Sequence, residues 1–282
     1  MVRRLLIAFG ALCALGATAA IAAQEAERPP EAHFSFEGPT GTYDLGAVQR
    51  GFAVYRQVCS NCHSMNHLYY SDLGAPYAPF AAYRVRNEET GEETSQIGLH
   101  AGQKGRYLGI NDNPWVQSIA HSVQISDIDQ STGQPTDRPG LVSDHFKKPF
   151  PNEAAARASN GGALPPDLSE IVLARAGGAN YVHAILTGYT GQQHNGKYEN
   201  RYFPGRLIGM PPPLADGVVT FDDGAPNNLD AEARDVAQFL QWAADPHMQE
   251  RKQLGVLVIA FLGILFLLLY ASYKQVWRGI KH

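Results

Sequence analysis

Apolar residues recur along this chain in patterns that predict distinct elements. In GFAVYRQVCSNCH, starting at Gly51, Phe52, Tyr55, Cys59 and Cys62 recur at spacings of three and four, the period of one helical face. A helix is therefore expected over residues 47–59, with Phe52 and Tyr55 turned inward. The stretch DAEARDVAQFLQWAAD, residues 230–245, is amphipathic in the same way: Val236, Phe239, Leu240 and Ala243 share a face. Acidic residues fill its first turns, where they complement the helix dipole, and Pro246 stops it. Shorter helices are expected over residues 168–175 and 179–186. Between them, NGGALPPDLS and residues 187–214 are dense in Gly, Pro and Tyr and read as long loops.

Two further stretches do not belong to a water-soluble core. Residues 254–273, LGVLVIAFLGILFLLLYASY, are 20 positions without a charge, enough for a helix to cross the ~30 Å apolar layer of a bilayer. Lys274, Arg278 and Lys281 follow, and no acidic residue occurs after Glu250. Positive residues stay cytoplasmic, so the tail 274–282 is expected inside and residues 24–253 outside. Residues 1–23 carry Arg3 and Arg4, then an apolar run from Leu5 to Leu15, then the small residues Ala20, Ala22 and Ala23. That order is a secretory signal peptide, cut after Ala22 or Ala23, with an uncleaved anchor as the competing reading. Both signals give the same orientation.

Composition adds bounds. Of 282 residues 44% are hydrophobic, which supplies a core, while 28 Gly and 18 Pro indicate many loops. A formal charge of -4 excludes a strongly basic nucleic-acid binder. All 27 acidic residues lie within 24–253, against 18 basic ones there, so the exported part stands near -9. Such a field speeds encounter with a basic partner, although solubility alone would also favour it. Three cysteines cannot make a disulfide scaffold, and loss of the signal peptide removes Cys13.

The remaining pair, in Cys59-Ser60-Asn61-Cys62-His63, forms C-x-x-C-H, the pattern of covalent c-type haem attachment. Cysteines three apart on one helical turn reach the two vinyl groups on one porphyrin edge, and the adjacent His ligates the iron. A zinc site would want more ligands than one cysteine pair. A thioredoxin-like pair would want a strand–helix setting, whereas this segment reads as helix. A filled sixth position would suit electron transfer, and an open one gas or peroxide chemistry. Met65 is too near His63 to reach over the ring, and Met248 stands between the domain and the membrane span. Met210, in GRLIGMPPPL, is the candidate, with His183 and His194 as rivals. No phosphate-binding glycine loop, HExxH motif or hydrolase triad is present.

From about Gly46 to the C-terminal anchor the chain resembles the cytochrome c1 family, the haem c subunits of cytochrome bc1 complexes (ubiquinol–cytochrome c reductases). The resemblance rests on RGFAVYRQVCSNCHSM, on KPFPNEAAARASNGGALPPDLSEIVLARAGG from Lys148, and on YVHAILTGY from Tyr181. YFPGRLIGMPPPL from Tyr202, FDDGAP from Phe221 and the DVAQFLQWAADP helix leading into the anchor complete it. It implies a mostly α c-type cytochrome domain, with long loops around one covalent haem c and one C-terminal transmembrane helix. Cys59 and Cys62 would then hold the haem, with His63 and Met210 as axial ligands. Arg175 would hydrogen-bond a propionate, Tyr181 and Asn160 would line the pocket, and Pro165 and Pro166 would shape its wall.

The resemblance also implies a place. Such a chain sits in a bacterial inner membrane beside cytochrome b and takes single electrons from the Rieske iron–sulfur protein. It passes them to a soluble or membrane-bound cytochrome c and is no enzyme on its own. The residues leave open a free-standing tethered shuttle, or the haem c subunit of another terminal reductase. One departure is visible: residues 71–135 are longer than in compact members and include the polar run NEETGEETSQIGLHAGQKGRYLG.

Overall fold

The computed structural model describes residues 25–279 apart from Ala101 and Asp222; the expected signal peptide and the last three residues of the tail lie outside the described residues. Among these, six α-helices dominate and the strands are short. Helix α1 (Leu45–Gln57) is capped by Asp44, whose carboxylate accepts the Ala47 N–H at 3.1 Å. Asn113 caps α2 (Pro114–His121), and Asn152 caps α3 (Glu153–Ser159). Helix α4 (Gly178–Thr187) starts after Gly177, at φ 92°. Asn228 caps α5 (Leu229–Ala244), and α6 (Met248–Val276) ends the order. Each Asp or Asn cap satisfies an N–H that the helix itself leaves unpaired.

The core forms where α1 crosses α5. Phe52 and Tyr55 on α1 each meet Phe239 on α5 with ring centroids 5.6 Å apart. Val48, Val236 and Phe239 are fully buried beside them. Gly51 sits at the crossing, where a Cβ would stand 2.0 Å from the Asp235 carbonyl oxygen. Arg50 Nε meets the Asp235 carboxylate at 2.6 Å on the adjoining turn. The expected faces of both helices are therefore the buried ones, and one residue without a side chain lets them approach.

The helix expected over residues 168–175 does not form. Residues 169–173 run as consecutive turns, closed by bonds such as Ile171 N–H to Leu168 O and Leu173 N–H to Glu170 O. The Asp167 carboxylate accepts the Ser169 N–H and is tied to Asn66, which fixes where the turn ladder begins. Gly177 and Gly178, both at positive φ, redirect the chain into α4. Leu168 and Val172 still reach the core, so the apolar spacing is met without an α-helix.

Three small antiparallel sheets are additions to the expected elements. Strands β1 (Ala82–Arg86), β2 (Glu93–Ile97) and β3 (Arg106–Tyr107) pair in the order β2-β1-β3. Strands β4 (Gln124–Ile128) and β5 (Pro135–Pro139) form a hairpin. Strands β6 (Tyr189–His194), β7 (Lys197–Asn200) and β8 (Leu207–Ile208) pair in that order. The long 71–135 stretch thus has structure of its own. Its first sheet is fixed by Tyr107 Oη donating to Gly74 O at 2.6 Å, and Asn113 Nδ2 ties α2 to Phe80 O at 2.7 Å.

Helix α6 is 29 residues long and its apolar length is exposed all round, with a mean hydropathy of 2.8 in its most apolar window. It fits a single-pass membrane helix and contradicts a buried core helix. Its base is fastened to the rest of the chain. Arg251 donates to both Asp245 carboxylate oxygens at 2.7 and 2.5 Å, and Lys252 Nζ donates to Phe36 O and Gly41 O at 2.6 and 3.1 Å. Tyr43 Oη donates to Asp245 O at 2.9 Å.

Gly51→Ala is expected to push α1 off α5 and destabilise the domain by about 1–3 kcal/mol, the usual cost of overpacking. Thermal unfolding followed by circular dichroism reads this as a lowered midpoint, and an unaltered midpoint would mean the helices part without cost.

Candidate functional site

The attachment segment follows from the way α1 ends. After Gln57 the chain tightens into one 3-10 turn, Cys59–Asn61, in which Cys62 N–H and His63 N–H both bond to Cys59 O, at 3.1 and 2.9 Å. Ser60 and Asn61 turn back onto the helix end: Ser60 Oγ donates to Arg56 O, and Asn61 Nδ2 to Gln57 O and Val58 O. Their polar side chains thereby satisfy carbonyls that a helix end leaves unpaired. Cys59 is half-buried, Cys62 is exposed, and both are free thiols. Desolvation pushes the Cys59 thiol up to about 12. A redox-active C-x-x-C works through a lowered thiol pKa, so this environment opposes the thioredoxin-like reading.

His63 shows which nitrogen is available. Its Nδ1 lies 2.8 Å from the Pro166 carbonyl oxygen. A carbonyl only accepts, so Nδ1 carries the proton and Nε2 keeps its lone pair, the arrangement a metal-ligating imidazole needs. Desolvation lowers the His63 pKa, against upward pulls from the Pro166 carbonyl and the Asp167 carboxylate. The neutral form, which can ligate, is the favoured one.

Asp167 locks the two segments around this contact. Its carboxylate accepts Ser64 Oγ–H and Asn66 N–H at 2.8 Å each and Ser169 N–H at 2.9 Å. Desolvation works to raise its pKa, but these hydrogen bonds prevail and hold it below the usual carboxylate range.

The loop that carries Met210 meets the same stretch. Met210 is half-buried in the loop after β8, and a Cβ on the preceding Gly209 would lie 3.5 Å from Ala163 Cβ. The 163–167 segment, ALPPD, therefore touches the Met210 loop at one end and holds His63 at the other. Asn160 ends α3, with its Nδ2 donating to Ala156 O at 2.7 Å, and Ala163 N–H bonds back to Asn160 O. Asn160 thus turns the chain into that segment. Arg175 and Tyr181 form a separate pair at the start of α4. Burial raises the Tyr181 phenol pKa and the nearby Arg175 guanidinium pulls it back down. Arg175 is exposed, and its only hydrogen bond among the described residues is to Ala174 O.

The rival ligands are occupied or misplaced. Met65 is fully buried in the hydrophobic core, and Met248 is buried at the base of α6. His183 Nε2 bonds to Asp230 Oδ1 at 2.9 Å between α4 and α5, and His194 is exposed at the end of β6. Among the described residues no three His, Cys, Asp or Glu side chains converge as a metal site would require. A cleft of about 450 Å³ beside Ser60 and Asn61, with Arg56, Lys147 and Lys148 on its rim, contains none of the candidate ligands. Sequence reasoning missed Asp167 and Tyr189, whose Oη donates to Met210 O at 3.0 Å. A single carboxylate or phenol carries no periodic signal.

The donor set suits a covalent haem: two free thiols on one turn, an imidazole with only Nε2 open, and a thioether on the loop that meets the same backbone segment. Asp167→Asn is expected to cost about 1–2 kcal/mol of stability at pH 7. The folded-state pKa is depressed, so this stability is present above the unfolded value and is lost as pH falls through the folded one. Unfolding midpoints of the two proteins should therefore differ above the ordinary carboxylate range and converge as pH falls below it; a gap independent of pH would contradict a carboxylate role.

The profile of the cytochrome c1 family matches residues 34–280. The cytochrome c1 of Rhodospirillum rubrum is 37% identical over 306 positions, covering 100% of this chain and 99% of that protein. A mitochondrial protein of Saccharomyces cerevisiae named cytochrome c1, heme protein, is 37% identical over 95% of this chain and 78% of its own length. A Bradyrhizobium diazoefficiens protein named cytochrome b/c1 is also 37% identical over 96% of this chain, which spans 39% of that longer protein.

Proposed function

The chain belongs to the cytochrome c1 family, and from that premise we propose how its residues carry electrons within the bc1 complex. Members are haem-containing electron-transfer subunits with a covalently bound haem c, which makes this chain a redox subunit. The bound haem supplies a one-electron iron couple, and the protein holds and tunes it. Cys59 and Cys62 would hold the haem through thioethers. His63 Nε2 and Met210 Sδ would ligate its iron, and two protein ligands would leave no site for substrate and favour electron transfer. The observation that carries this is the His63 Nδ1–Pro166 O bond, which fixes the ligating tautomer on the segment that also meets the Met210 loop.

The other residues act around that axis. Arg175 and Tyr181 would hold a haem propionate, where a fixed positive charge and a phenol would stabilise the carboxylate and so bear on the potential. Asn160, Pro165 and Pro166 form the wall. Electrons arrive from the Rieske iron–sulfur protein and leave to a soluble or membrane-bound cytochrome c. The exported domain's charge near -9 favours a basic acceptor and a rate that falls with salt.

In the membrane, α6 lies beside cytochrome b, a pairing supported by a relative whose name joins cytochrome b and c1. Residues 1–23 are a signal peptide, 24–253 the periplasmic domain and 274–282 the cytoplasmic tail of a bacterial inner-membrane protein. Arg251 and Lys252, on the periplasmic side of the span, are tied to Asp245 and to backbone carbonyls. Lys274, Arg278 and Lys281 set the orientation.

Two measurements test this reading. A complex purified through this chain in mild detergent should show b-type bands with the c-type band, in about a 2:1 ratio, in its reduced-minus-oxidised spectrum; a c-type band alone would favour the tethered shuttle. Electron transfer to a basic cytochrome c should slow as ionic strength rises, and a rate indifferent to salt would remove the acidic surface from the docking account.

A further inference from the structure

The geometry assigns the Tyr189 hydroxyl, backed by a chain from Thr190 through Glu199 to Arg206, to holding Met210 in place as a noncovalent clasp on the distal-ligand loop. This rests on the proposed ligation by Met210 and adds what positions it.

Tyr189 opens β6, and its Oη donates to Met210 O at 3.0 Å and also lies 3.4 Å from Pro211 O, closing a loop of 21 residues. The tyrosine's own base is fixed. Its strand partner Asn200 is fully buried and donates from Nδ2 to Ile185 O at 2.7 Å, on the last turn of α4. Arg201 N–H bonds to Gly188 O at 3.0 Å. The anchor thus runs from α4 through Tyr189 to the backbone of Met210.

A second tether fixes the way into the loop. Arg206 sits at φ 58°, a conformation disfavoured for a residue with a side chain and kept only where its surroundings over-determine it. Its N–H bonds to Phe203 O at 2.8 Å and its carbonyl accepts Asn200 N–H at 2.9 Å. Its guanidinium meets Glu199 Oε1 at 3.1 Å, with the two side chains 17% and 15% exposed, and Glu199 Oε2 accepts Thr190 Oγ1–H at 2.8 Å. Leu207 and Ile208 then pair with Glu199 and Tyr198. Two residues later the chain reaches Met210 with its direction set.

A thioether is a neutral ligand on a Gly- and Pro-bounded loop, so ordering that loop opposes ligation unless the protein has ordered it beforehand. Among the described residues no disulfide closes this loop, since the two cysteines lie in the attachment turn. The hydrogen bonds do.

The test is Tyr189→Phe in the full-length haem-loaded protein, which keeps the ring and deletes one hydroxyl. Haem should remain attached, while the fraction of reduced protein that binds carbon monoxide at neutral pH rises about fivefold, the worth of one hydrogen bond. The midpoint potential should fall. Glu199→Gln should move both readouts the same way by less, and it carries the test should Tyr189→Phe not accumulate. Wild-type carbon monoxide resistance and potential in the variant would overturn the clasp. Met210→Leu separates the two levels: if it opens the iron while Tyr189→Phe does not, the clasp alone fails, and if Met210→Leu changes nothing, the ligation reading fails first.

Discussion

The hydrogen bond from His63 Nδ1 to Pro166 O joins residues 103 apart in sequence, and much of the domain serves to bring those two places together. His63 is presented by a turn that begins where α1 ends, so its position depends on how α1 is seated. Pro166 lies in a loop with little regular structure of its own, and Asp167 fastens it to Ser64 and Asn66 through two hydrogen bonds and to Ser169 through a third. Remove the crossing of α1 on α5 and the turn loses its foundation. Remove the Asp167 lock and the carbonyl that selects the imidazole tautomer is free to wander. Stability and ligand chemistry thus meet in one small region.

The same economy governs the join to the membrane. The end of α5, the base of α6 and the 36–43 segment are bound through Tyr43, Asp245, Arg251 and Lys252. These contacts lie outside the apolar length of α6 and couple the orientation of the haem-bearing domain to the helix axis. For a subunit that exchanges electrons with partners, a fixed attitude above the bilayer limits the distances that must be crossed. The apolar side chains of α6, exposed along its length, are suited to lipid and to a neighbouring membrane subunit.

Much of this was legible in the sequence because its signals are local or periodic. Phe52, Tyr55, Phe239 and Leu240 announced their helices by spacing, and 20 uncharged residues announced the span. Cys59, Cys62 and His63 form a contiguous motif. The small sheets were less visible, although Asn195-Gly196 at the β6–β7 turn and the alternation in AYRVR and QISDI are recognisable strand signals. The failed helix at 168–175 shows the opposite limit. Its apolar spacing was right, but Asp167 and two glycines at positive φ, acting through tertiary contacts, chose turns. Arg206 and Tyr189 were illegible because their roles arise only when a 21-residue loop closes on itself.

The central claim is that His63 and Met210 share one haem across the 163–167 segment. Near-infrared magnetic circular dichroism of the purified complex, recorded as the ascorbate-reduced minus oxidised difference to isolate the high-potential haem, tests it most directly. Reduction is expected to remove a ferric-haem charge-transfer band whose energy is that of one imidazole and one thioether ligand. A difference spectrum carrying a nitrogen-only ligand signature, or that of an open iron, would contradict it.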